Sequence, residues 1–188
     1  VSAALFLKNH RLNFVGLNLS LAYLIWALGI SVFIKGKIED KLNEQGVPYS
    51  QFISSPAPFT TLLWRTVGIH NDQYFETYYS LLDGDAPLSV NFYSRNLSLM
   101  KGMNEHPPVA KLEKFSHGYF TMSEINGSVV MTDLRMGSEP NYVFKFLVAE
   151  LQGSKNVPIK PTRLEAIRDW SHLFWLWERI WNPQARLI

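Results

Sequence analysis

The feature that most limits this chain is a run of twenty-three residues, Leu12 to Ile34, "LNFVGLNLSLAYLIWALGISVFI", that holds no charged side chain. As a helix rising about 1.5 Å per residue, a run of that length covers the roughly 30 Å hydrocarbon core of a bilayer. Lys8, His10 and Arg11 precede it, and Lys35 and Lys37 follow it, so cationic groups stand where headgroups would be. A cleaved signal peptide fits less well, because the run is long, follows the polar "KNHR" and lacks a small-x-small exit site. The competing expectation is a helix buried in a globular core or against a partner, since Asn13, Asn18, Ser20 and Ser31 dilute the hydrophobicity. The flanking charges are nearly balanced, with a slight lean of the C-terminal side towards the cytoplasm. The chain opens on Val1 and meets the apolar run almost at once, which raises the expectation of further chain upstream.

Composition points the same way. Aromatic residues make up 14% of the chain and charged residues 18%, the latter below the roughly one quarter usual for soluble domains. Such a balance suits a protein that meets lipid. The formal charge of +2 offers no field to gather nucleic acid, and no long basic run supplies one locally. With no cysteine, disulfides, thiolate catalysis and Cys-ligated metals are excluded. A chain of 188 residues can bury one real core and carry an appended segment.

Beyond the apolar run the helical pattern continues through "KGKIEDKLNEQG" and stops at Gly46, ahead of Pro48. The next stretch, "VPYSQFISSPAPFT", is rich in Ser and Pro, which forbids helix and favours extended chain. It divides the chain into an apolar helix and its exit (1–46), a linker (47–59) and an extramembrane α+β domain (60–188). In that domain "TLLWRTVGIH" and "QYFETYYSLL" flank the turn pair Asn71-Asp72, and "PLSVNFYS" follows the turn Asp83-Gly84-Asp85. Leu97 to Met103 and Pro108 to Phe115 read as short helices or turns. "GYFTMSEI" and "SVVMTDLRMG" flank Asn126-Gly127, the strongest hairpin signal in the chain, and "NYVFKFLVAE" is a further strand. The expected fold is an antiparallel sheet of about six strands, packed with a C-terminal aromatic helix. That helix is read over "PTRLEAIRDWSHLFWLWERIWNP", with Thr162 as N-cap and Glu165 completing a capping box.

The stretch Gly68 to Asp85, "GIHNDQYFETYYSLLDGD", looks most like a site. With Asn71-Asp72 as a two-residue turn, His70 opposes Gln73 and Val67 opposes Glu76. His70 then shares a face with Phe75 and Tyr79, and Glu76 shares the other with Arg65 and Tyr78. A His and a Glu on opposite faces cannot hold one metal ion, so a Glu76–Arg65 contact is expected, with Asp72, Asp83 and Asp85 as turn formers. His106 and His117 lack HExxH or paired-carboxylate spacing, and no metal ligand is assigned. Asp133 and Arg135 share a strand face and suit an ion pair. Arg65, Glu76, Asp133 and Arg135 are the weak catalytic candidates, provided they converge in one pocket. In the last helix Trp170, Phe174, Trp177 and Trp181 form an aromatic stripe, which either covers the sheet or contacts membrane or partner, with Arg168, Arg179 and Arg186 placed to meet anionic headgroups.

The runs "PAPFTTLLWRTVGIHNDQYFETYYSLLD", "FSHGYFTMSEINGSVVMTDLRMGSEPNYVFKFLVAE" and "LFWLWERIW" resemble the C-terminal half of the bacterial membrane-bound, predicted metal-dependent hydrolases of the YdjM/YfhP type. The resemblance spans about Ala4 to Trp181. It implies a bacterial inner-membrane protein, with membrane lipid and upstream membrane helices as partners. The divalent metal implied for that family sits on His- and Asp-bearing segments in N-terminal membrane helices, which have no counterpart in this sequence. The resemblance therefore implies a domain that caps or regulates a metal site located elsewhere. The alternative is a non-catalytic domain that docks a partner protein or the bilayer.

Overall fold

The computed structural model describes residues 10–103, 106–153, 155–165 and 171–185. It opens with helix α1 (His10–Glu44), followed by strands β1 (Gln51–Pro56), β2 (Leu63–His70), β3 (Gln73–Ser80) and β4 (Val90–Ser94). A short 3-10 helix (Leu97–Met100) and helix α2 (Pro107–Phe115) lead into β5 (Phe120–Ile125), β6 (Ser128–Ser138), β7 (Asn141–Gln152) and β8 (Lys155–Arg163). Helix α3 (Ser171–Trp181) closes the described chain. The α+β class is as expected, but the single sheet of about six strands is not. The strands form two four-stranded antiparallel sheets, β1-β2-β3-β4 and β5-β6-β7-β8.

The two unexpected strands are outer ones. The extended chain expected after Gly46 is present, yet it is paired along its length with β2, from Gln51↔Ile69 to Pro56↔Trp64. Strand β8 occupies ground assigned to the last helix: Thr162 pairs with Leu147 instead of capping a helix. Pro158 and Pro161 explain the outcome, because proline lacks the N–H that helix interiors and central strands need and is tolerated on an outer strand. The Thr162/Glu165 capping box is a local pattern that the chain overrides.

Turn chemistry worked where it was local. Asn71 has a φ of 52°, and Asn126 and Gly127 have φ of 51° and 72°, the positive values that two-residue hairpin turns require. The registers His70↔Gln73, Val67↔Glu76 and Ile125↔Ser128 are those read from the sequence.

The first sheet is covered on both faces, which is why β2 is buried along nearly its whole length. On one face Trp64, Phe75 and Tyr79 pack with Ile34, Ile38 and Leu42 of α1. The Phe75 ring lies over Gly68 and leaves no room for a Cβ there. On the other face Val67, Ile69 and Tyr74 meet Tyr119, Leu134 and Tyr142 of the second sheet. The second sheet has its own core of Met122, Met131, Phe120, Val129 and Val148, covered by Met100, Met103 and Val109.

Helix α1 divides into two halves. Its C-terminal half buries Ile34, Ile38 and Leu42, and the Lys41 ammonium donates to the Ala86 carbonyl at 2.8 Å. Its N-terminal half packs against almost nothing: the apolar side chains from Leu12 to Phe33 are largely exposed. A helix buried in this chain's own core is thus not what forms. By length and composition α1 suffices to cross a membrane.

Side contacts set the direction of α1. Tyr49 lies against Glu39 and Asn43, whereas Phe52, further along β1, lies beneath Lys35. On the opposite flank Gln45 holds Leu88 and Lys41 holds Ala86. Both series step towards the N-terminus of α1 as they approach the end of the first sheet that carries Pro56, Leu63 and Ser80. The bare half of α1 therefore leaves the domain at that end.

Candidate functional site

The face of the first sheet turned away from α1 carries Tyr74, Glu76 and Tyr78 of β3, with Asn91 and Tyr93 of β4 beside them. The β6–β7 turn, Ser138-Glu139-Pro140, and Trp175 and Arg179 of α3 close over these residues. Together they enclose a cleft of about 620 Å³. The Glu139-Pro140 peptide is cis.

Buried charge organises the cleft. Arg65 and Glu76, neighbours across β2 and β3, form an ion pair with both side chains almost wholly buried. The contact was legible from register; its burial was not, because it depends on the second sheet. Arg65 also donates to the Leu134 carbonyl at 3.0 Å, and the Tyr142 hydroxyl donates to Glu76 Oε1. The Glu139 N–H reaches Glu76 Oε2 at 3.4 Å, while the Tyr74 hydroxyl donates to Glu139 Oε2 at 2.9 Å. Glu76 thus ties the two sheets together, with its acceptor positions turned to protein donors.

Protonation follows from this packing. Burial disfavours the Arg65 charge, but adjacent Glu76 outweighs that and holds its pKa above the ordinary value. Burial raises the Tyr78 phenol to about 12, partly countered by Arg65. Burial, reinforced by the Glu76 carboxylate, raises Tyr142 as well, and Tyr74 is raised chiefly by burial. These phenols stay neutral donors at physiological pH.

Asp133 and Arg135 form a second pair, with Arg135 Nη2 to Asp133 Oδ2 at 2.7 Å and Nε to Oδ1 at 3.0 Å. The Arg135 guanidinium also lies 4.9 Å from the centre of the Phe115 ring. The ion pair expected from the sequence is present, away from the cleft lining. Of the four catalytic candidates, Glu76 alone lines the cleft. The four side chains form two closed pairs, and neither presents a free base beside a free acid.

Arg95 escaped the sequence reading, and Arg179, expected to meet anionic headgroups, is buried instead. Arg179 makes a bidentate ion pair with Asp83, at 2.8 and 2.7 Å, and donates to the Tyr78 carbonyl at 2.9 Å. Asp83 is therefore more than a turn former. The signal was available, since Arg179 falls among the inward residues Leu176 and Ile180 and a buried cation needs an acid. Arg95 clasps the sheets at their other end through the carbonyls of Asn71, Gly118 and Phe120. Burial lowers its pKa.

The aromatic stripe does not cover the sheet. Leu173, Leu176 and Ile180 face inwards with Ala57 and Leu63, while Phe174, Trp177 and Trp181 point out. Arg168, Trp170 and Arg186 lie outside the described residues. His106 caps α2, and its Nδ1 is buried with no protein partner; His117 sits in a left-handed turn with φ of 52°. Among the described residues no group of three or more His, Asp or Glu is placed to hold a metal ion. No family model matches the chain, nor does any curated protein or solved structure.

Proposed function

We propose that this chain is the membrane-mounted part of a bacterial inner-membrane protein of the type it resembles, the predicted metal-dependent hydrolases. In this reading its extramembrane domain caps or regulates a divalent-metal site carried by other membrane helices of the same protein. The observation that carries the reading is the division of α1: one half bare and apolar, the other sealed into the first sheet, with no linker between them. A continuous helix passes the position of a membrane segment directly to the sheet packed on it, which a flexible tether does not do. Lys35 and Lys37, where the apolar run ends, tip the nearly balanced flanking charges slightly towards a cytoplasmic domain.

The pairing of charges supports the same reading. Arg65 with Glu76, Asp133 with Arg135, and Arg179 with Asp83 are occupied with one another and hold shape. Catalysis then belongs to the membrane helices. The test is deletion of the residues after Pro56 from the parent protein, followed by an assay of metal-dependent hydrolysis in membranes. Loss of activity, or altered substrate dependence with membrane insertion intact, is the expected result; unchanged activity excludes capping. A second reading, a non-catalytic domain that docks a partner or the bilayer, is favoured by the outward Phe174, Trp177 and Trp181. Under that reading the deletion abolishes an association and spares hydrolysis.

A further inference from the structure

The exposed aromatic residues of α3 are not isolated. Phe174, Trp177 and Trp181 are 79%, 65% and 59% exposed, and the helix that carries them packs on Ala57, Leu62 and Leu63. Phe59, at the tip of the β1–β2 loop, is 100% exposed with φ of 62°, and Leu82, in the β3–β4 loop, is 54% exposed. The Leu81 N–H donates to the Leu62 carbonyl at 2.9 Å, and the Ser80 hydroxyl to the Ile180 carbonyl at 2.8 Å, so both loops and α3 gather at one end of the first sheet. The contacts of α1 with β1 and with Ala86 and Leu88 show that its bare apolar half leaves the domain at this same end.

Three separate segments thus expose large apolar side chains at the end of the first sheet from which the apolar helix departs. Soluble surfaces rarely gather such a set, and tryptophan favours the boundary between headgroups and acyl chains. The second sheet, clasped by Arg95 near Asn71, lies towards the opposite end of the first.

We infer that Phe59, Leu82, Phe174, Trp177 and Trp181 form a rim that seats in the lipid interface, giving the domain a second bilayer contact beside α1. The inference rests on the membrane reading of α1 and deepens it: two attachments fix the tilt of the domain and hold the cleft at a constant height above the lipid. The occupant is the bilayer, because the anchor brings this end of the sheet to it.

The absence of cysteine allows a direct test on the full chain. Single variants Phe59→Cys, Trp177→Cys, Leu24→Cys in the apolar half of α1, and Glu124→Cys in the β5–β6 hairpin are labelled with an environment-sensitive fluorophore. Each is reconstituted into phosphatidylcholine–phosphatidylglycerol vesicles with or without brominated acyl chains. The expected result is loss of emission on bromination at positions 24, 59 and 177 and none at 124. Quenching at 24 but not at 59 or 177 overturns the rim and leaves the anchor standing. No quenching at 24 overturns the anchor and the rim with it. Dry but unquenched probes at 59 and 177 overturn the rim by showing protein over this face.

Discussion

The two sheets of this domain are alike in strand number and held by different physics. The second is closed by apolar packing of Met100, Met103, Met122 and Met131 around Phe120 and Val148, a core of adaptable side chains that tolerates changes of shape. The first is pinned to its neighbours by buried ions: Arg65–Glu76 against the second sheet and Arg179–Asp83 against α3. Apolar contact alone does not choose one angle between two packed layers. A buried charge does, because any arrangement that draws the Leu134 carbonyl from Arg65, the Tyr142 hydroxyl from Glu76, or Arg179 from Asp83 leaves an ion without water or a full set of partners. The region beside the cleft is thereby the region whose geometry is most tightly specified.

That contrast can be broken by experiment. Arg65→Met leaves Glu76 buried beside two tyrosines and is expected to cost about 3–5 kcal/mol in urea denaturation, with Arg65→Met/Glu76→Leu losing less than the single variant. A double variant as unstable as the sum of the singles would show that the pair does not act as a unit. Met122→Ala, in the apolar sheet, is expected to cost about 2–4 kcal/mol by opening a cavity, and to add to Arg65→Met without coupling.

Alkaline titration sharpens the comparison, since Tyr74, Tyr78 and Tyr142 all cluster at the ionic junction. Their folded-state pKa values lie above the unfolded value near 10, so their contribution is intact below pH 10. It is lost as the pH rises from there through the folded values, about 12 for Tyr78. The part of the tyrosinate absorbance that Tyr74→Phe, Tyr78→Phe and Tyr142→Phe variants remove should therefore appear together with loss of structure by circular dichroism, and its appearance near pH 10 in a folded protein would refute the junction. The smallest effect is expected for Asp133→Asn, because the Arg135 side chain is partly open to solvent: about 1 kcal/mol or less, and weaker in salt.

Much of this arrangement was legible from local chemistry. Asn71 and Asn126 tolerate positive φ, so their hairpins and registers could be read, and the Arg65–Glu76 contact came with the register. The outer strands β1 and β8 were hidden by their prolines, which mark loops as readily as sheet edges. Arg179 and Asp83 lie 96 residues apart, and no local pattern joins them. The aromatic stripe was visible as a stripe, yet its direction turned on which face of α3 fits the Ala57–Leu63 surface.

The sequence by itself determined the long apolar helix, both hairpin turns, the strand alternation and the pairing of neighbours across a turn. Each depends on residues within a few positions of one another. Only the tertiary structure decided that the strands divide into two sheets, that charges become buried joints, and that aromatic side chains gather at the end where the apolar helix departs. Burial is a property of the assembled layers: a side chain's distance from water is set by segments that meet it only after the chain has folded.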